Sequence, residues 1–174
     1  MFILQLVSKF IKILNSDASP NQVAWGFALG TILGFTPLMA FHNLIVVVLL
    51  IILRVNIASA MLSFALVKLF AWALDPLFHR VGFFVLTDIA ALQSFWTSLY
   101  NAPIAPFTRF NNTIVMGSLL ISLVLLVPNY IWFKWFIRRY RESWNEKVKK
   151  WKITKVLLGN KLVQFYFKLK NFGE

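Results

Sequence analysis

Residues 113–137, TIVMGSLLISLVLLVPNYIWFKWFI, constrain the fold most, because an apolar run of this length reads first as a bilayer crossing. Asn112 or Thr113 caps its start, and Pro128 kinks it without stopping it. Tyr130, Trp132 and Trp135 form an aromatic belt immediately before Arg138, Arg139 and Arg141. Aromatic rings gather at the headgroup level and basic residues stay cytoplasmic, so this helix is predicted to end inside. Composition extends the reading to the whole chain. Mean hydropathy is +0.71 and only 14% of residues are charged, against about 25% in soluble domains. An all-α, polytopic membrane protein follows, and 174 residues leave room for roughly three or four crossings.

Proline divides the remaining apolar sequence. Ser19-Pro20, Thr36-Pro37 and Asp75-Pro76 each pair an N-cap residue with proline, which is tolerated at the first helical position. The predicted pieces are 20–35, 37–53, 57–74 and 76–98. The first two reach about 25 Å, short of the roughly 30 Å hydrocarbon core, so they form either a tight spanning hairpin or a re-entrant one. Residues 57–74 are long enough to cross. Residues 76–98 mix Arg80, Asp88 and Gln93 with large apolar side chains and read as an interfacial helix, followed by a periplasmic loop at 98–112. These pieces and 113–137 make a membrane domain spanning 19–137. Residues 1–15 place Gln5, Ser8, Lys9 and Lys12 on one stripe of an apolar helix, the pattern of a helix lying on a membrane surface. The lysines and the lack of a small-residue cleavage site argue against a signal peptide.

Charge sets the orientation. Residues 138–174 hold eleven Lys/Arg and three acids, which is +8 of the total +12. A basic excess at one end marks the cytoplasmic side and draws the segment to anionic phospholipid. With 138–174 as a basic amphipathic cytoplasmic tail, both termini are inside, along with Lys9, Lys12 and Arg54, while Arg80 and Arg109 are outside. Within the tail, Tyr140, Trp144, Val148 and Trp151 continue a helical stripe, and 161–170 read as a second surface-lying helix.

Four features are candidate sites. Gly26, Gly30 and Gly34 recur every four residues, flanked by Ala24 and Ala28. Such a stripe admits close backbone approach, whether within the chain against 37–53 or 57–74, in a homodimer, or against an acyl chain. Thr36-Pro37 read as a helix start offers N–H groups that bind anions, so Thr36 is a candidate lipid-phosphate contact; a self-satisfied capped turn is the alternative. His42 and Asn43 are polar at membrane depth, where such groups either bond across to another helix or contact a ligand. Lys68 lies well inside 57–74 and must reach an interface, a carbonyl cluster or a lipid anion. Lys68, Trp72, Asp75 and His79 would share one stripe if the helix ran on, but Asp75 reads as the cap of the next helix.

Several classes are disfavoured. The chain has no cysteine, hence no disulfide or thiolate site, and its two histidines, His42 and His79, have no carboxylate cluster beside them. No metal and no cofactor is expected. No phosphate-binding loop, HExxH, GxSxG or paired-carboxylate motif is present, so an enzyme is not expected. The basic tail accompanies no nucleic-acid-binding fold. Asn111-Asn112-Thr113 fits a glycosylation sequon, a short pattern of little weight beside a membrane helix.

SPNQVAWGFALGTILGFTPLMAFHNL, followed by LLRVNIASA, resembles the core of a widespread bacterial inner-membrane domain of unknown function: a glycine-rich helix, a proline turn, an apolar helix, then Arg-Val-Asn. LDPLFHRVG and LYNAPIAPFTRFNNT resemble a narrower Gram-negative subfamily of about this size. The broad family often carries Asn-Pro after the Arg-Val-Asn helix; this chain has Val67-Lys68 near there and Asp75-Pro76 later. The resemblance implies a small polytopic inner-membrane protein, with a larger envelope protein as its partner. The expected function is a non-enzymatic subunit that anchors or docks that partner in lipid transport between membranes. The alternative is an autonomous lipid or polyprenyl-phosphate flippase.

Overall fold

A computed structural model describes residues 9–144, with side chains through Glu142, and contains no strand among them. The described residues form two compact units: one spans Ala18–Lys134, the other comprises residues 9–17 and 135–144.

The larger unit begins with α2 (Pro20–Phe35), entered through a capping box. The Ser19 hydroxyl accepts from the Gln22 N–H, and the Gln22 side chain accepts from the Ser19 N–H, satisfying two donors that a helix start leaves open. α3 (Phe41–Ile52) returns along α2. At its end the Asn56 N–H donates to the Gln22 carbonyl, and Gln22 Nε2 donates to the Arg54 carbonyl. The connection passes through Arg54, whose φ of 49° lies in the left-handed region. α4 (Ile57–Phe83) then runs parallel to α2. It is prolonged by a wider turn at Phe84–Asp88, after which a short 3-10 turn leads to α5 (Gln93–Tyr100). α6 (Thr113–Arg139) runs back, antiparallel to α4.

Two of the expected boundaries move. Pro76 lies inside α4, so Asp75 caps nothing and the expected 57–74 piece runs on to Phe83, while the rest of the expected 76–98 piece is divided among the wider turn at Phe84–Asp88, the 3-10 turn and α5. Proline forfeits one hydrogen bond, but the turns beyond it are held by packing: Phe78 is 0% exposed and Gly82 is buried against α6. At the other site, Thr36 ends α2 and residues 37–40 form a turn, so α3 begins at Phe41 and not at Pro37.

The glycine stripe explains how α2 and α4 meet. A Cβ on Gly26 would collide with the Asn56 carbonyl oxygen, and one on Gly30 with the Ala60 carbonyl oxygen. At Gly34 it would meet the Val67 side chain at 2.6 Å. Hydroxyls bridge the crossing: Ser59 Oγ donates to the Val23 carbonyl at 2.8 Å, and Thr31 Oγ1 lies 3.0 Å from Ser63 Oγ. Small residues with hydroxyls are what hold helices together where no water is expelled. A second crossing is reciprocal. A Cβ on Gly82 would collide with the Thr113 carbonyl, and one on Gly117 with the Phe78 carbonyl. Leu29, Ile32, Val46, Leu50, Val55 and Ala60 form the core, with Leu119 and Leu126 of α6 packed on it. Phe27 stacks on Phe133 and Trp25 on Tyr130.

Helical stretches Ile57–Asp88 and Thr113–Glu142 are long and apolar enough to cross a membrane, with mean hydropathy of 1.9 and 2.1 over their most apolar windows. Only 28% of each window is buried within the chain, whereas the core helix of a water-soluble protein would be mostly covered. Ile51 and Ile52 of α3 are likewise exposed. The fold is that of an all-α membrane protein, its outward apolar faces matched to lipid.

In the second unit, α1 is helical over 9–14, with Lys9 and Lys12 exposed and Ile13 and Leu14 buried. Arg141 donates to the Leu14 and Ser16 carbonyls, each at 2.9 Å, and Asn15 Nδ2 donates to the Tyr140 hydroxyl at 3.2 Å. The cation thus sits at the carbonyl end of α1, where the helix dipole favours it. Residues 1–8 of the expected surface helix, and the expected tail helices beyond 144, lie outside the described residues.

Candidate functional site

At the end of α2, the turn at 36–40 is tied together from within. The Thr36 hydroxyl, 0% exposed, lies 2.8 Å from the Ile32 carbonyl and 2.7 Å from Asn43 Oδ1, and its single proton serves both. Asn43 Nδ2 donates to the Pro37 carbonyl at 2.8 Å and the Leu38 carbonyl at 3.3 Å. An asparagine side chain thereby does for a turn inside an apolar region what water would do outside it. Thr36 is therefore no helix start with open N–H groups. It is the carbonyl end of α2, and the anion seat expected from Thr36-Pro37 is replaced by a closed turn.

Lys68 completes this turn from α4. Its Nζ donates to the Thr36 carbonyl at 3.0 Å, putting an ammonium on the negative end of the α2 dipole. One of its three donors is used there, and no other partner of Nζ occurs among the described residues. His42, one residue from Asn43, takes no part: its Nε2 is buried without a hydrogen-bond partner among the described residues, and it lines neither cavity described below.

Because α4 continues through Pro76, Lys68, Trp72 and Asp75 share a face, and that face lines a cavity of about 380 Å³. The 36–40 turn supplies Pro37, Met39 and Ala40, and the start of α6 supplies Asn112, Ile114 and Val115. Arg109 completes the wall from a left-handed conformation (φ 56°, ψ 30°), uncommon for a residue with a side chain. Asn112, which also lines the cavity, caps α6, its Oδ1 accepting from the Ile114 and Val115 N–H groups, and its Nδ2 has no hydrogen-bond partner among the described residues. Asp75 and Arg109 form no side-chain hydrogen bond or ion pair among the described residues. Next to this space lies an apolar groove of about 470 Å³, lined by Leu33, Leu44, Val47, Met61, Phe64 and Phe107 among others. Met39 and Ala40 line both. A charged chamber and an apolar groove thus adjoin across two residues.

Of the residues singled out in the sequence, Thr36, Asn43 and Lys68 come together, and only Lys68 faces the charged chamber. Asn43 touches the groove. Gly26, Gly30 and Gly34 serve the α2–α4 crossing. Lys9, Lys12, Arg138 and Arg139 are exposed in the other unit, and Arg141 is engaged with α1. Asp75, Arg109 and Asn112 were not singled out as ligand contacts. The heptad spacing of Lys68 and Asp75 was the available signal, and the proline beside Asp75 obscured it.

A family of uncharacterized proteins conserved in bacteria (DUF2062) matches residues 5–145, and the chain belongs to that family. Neither curated proteins nor solved structures match it.

Proposed function

We propose that this family member is a non-enzymatic inner-membrane protein that binds phospholipid and docks a larger envelope protein, as the membrane subunit of a lipid-transport assembly. The observation that carries the reading is the charged cavity adjoining an apolar groove across Met39 and Ala40. A headgroup and an acyl chain need those two surfaces side by side, and few water-soluble ligands need both.

Charge supports the orientation. Lys9, Lys12, Arg54, Arg138 and Arg139 belong to the cytoplasmic side by the positive-inside rule. Lys68 then lies about halfway across the hydrocarbon core, eleven residues along α4 from Ile57, about 16 Å. α2, with sixteen residues, extends about 24 Å and its turn is level with Lys68, which favours a re-entrant hairpin over a full crossing. The larger partner is supported by the resemblance to the Gram-negative subfamily. The competing reading is an autonomous lipid carrier that uses the same hairpin and cavity.

Purification of the tagged protein at native expression, followed by reconstitution in liposomes with labelled phospholipid, separates these readings. The expected result is bound phospholipid and a stoichiometric larger protein, with no lipid movement by the chain alone. Lipid movement by the isolated chain would overturn the subunit reading in favour of the carrier. Purification without phospholipid would overturn both.

A further inference from the structure

We propose that the cavity selects a phospholipid headgroup carrying both a phosphate and a primary ammonium, an inference that rests on the lipid-binding reading above. Lys68 and Arg109 bring two positive charges to the chamber and Asp75 one negative charge, yet no ion pair joins them. Lys68 and Asp75 sit seven residues apart on one helix face, a rise of about 10.5 Å. Lys68 Nζ is turned to the Thr36 carbonyl at 3.0 Å instead of toward the carboxylate.

Opposite charges held apart across one space fit a dipolar ligand better than a simple anion. The phosphate oxygens accept from the two remaining Lys68 donors, the Arg109 guanidinium and Asn112 Nδ2. The ammonium donates to Asp75. A headgroup with phosphate but no amine would satisfy the cations and leave the half-buried carboxylate beside a second anion, which costs affinity. The adjoining groove commits the ligand to a lipid: free glycerophosphoethanolamine shares the headgroup chemistry but leaves Leu44, Val47, Met61 and Phe107 uncovered.

The test is native mass spectrometry of the full chain in detergent, offered equal amounts of phosphatidylethanolamine and phosphatidylglycerol. The wild type is expected to retain the amine lipid about tenfold over the glycerol lipid, the ratio that roughly 1.4 kcal/mol produces. Asp75→Asn is expected to bring the ratio to about one and Asp75→Glu to restore it, with unchanged thermal unfolding showing that the fold is intact. A wild-type ratio near one, or a ratio that Asp75→Asn leaves unchanged, would overturn the headgroup assignment while phospholipid binding stands. Displacement of bound lipid by equimolar glycerophosphoethanolamine would overturn the role of the groove. No retained phospholipid of either kind would overturn the lipid-binding reading and this inference with it.

Discussion

Replacing Gly30 with leucine is expected to destabilise the protein by about 3 kcal/mol or more, at the upper end of overpacking effects. The cause is geometric. The first added carbon already collides with the Ala60 carbonyl, and a backbone group cannot rotate away as a side-chain end can. α2 and α4 would have to separate, breaking the Thr31–Ser63 and Ser59–Val23 hydrogen bonds and exposing polar groups in an apolar region. Thermal unfolding in detergent reads the effect, with a fall in midpoint on the order of 10 °C. The stripe is also graded. Gly34→Ala should cost less than Gly30→Ala, since its nearest obstacle, Val67 Cβ at 2.6 Å, stands farther off than the Ala60 carbonyl oxygen does from Gly30. Ala73→Leu, on an exposed position of the partner helix α4, is the control and should leave the midpoint nearly unchanged. An unfolding curve for Gly30→Leu that overlays the wild type would undo the close-packing account.

Gly117→Leu is expected to be comparably damaging, through the other crossing. There the Phe78 carbonyl stands against Gly117 and the Thr113 carbonyl against Gly82, so neither helix has room for a side chain. The loss should extend to ligand binding. Gly117 lies two residues from Val115 and five from Asn112, which line the cavity, so pushing α6 off α4 opens the chamber wall. Unfolding midpoint and retained phospholipid, measured on the same preparation, should fall together. Full lipid retention in a destabilised Gly117→Leu protein would contradict the placement of the chamber between these helices.

These two crossings show what could be read without coordinates. Three glycines at a spacing of four stand out because each weakens its own helix, so close packing was legible at Gly26, Gly30 and Gly34. Gly82 and Gly117 are single glycines on separate helices, and only their pairing in space reveals their role. Proline was the less dependable guide. At Ser19-Pro20 it marks a helix start as expected. At Thr36-Pro37 the helix ends, and the next begins at Phe41. At Asp75-Pro76 tertiary packing through Phe78 and Gly82 carries the helix past it. That last point hid the site, since the Lys68–Asp75 face exists only in an uninterrupted helix. Lys68 was recognisable because an ammonium at membrane depth needs a partner. That its partner would be the Thr36 carbonyl, and that Arg109 would join it from a loop far along the chain, depends on contacts between distant segments.

The most direct measurement is crosslinking of the protein in bilayers with a phospholipid that carries a photoreactive acyl chain, with adducts mapped by peptide mass spectrometry. Adducts are expected to concentrate on the groove, at Leu33, Met39, Leu44, Met61 and Phe107, and to fall several-fold there when Lys68→Met removes the headgroup anchor. Adducts spread evenly onto outward-facing residues such as Ile51, Ile52, Phe70 and Val124, and indifferent to Lys68→Met, would mean that the groove is ordinary lipid-facing surface and that the chain holds no lipid of its own.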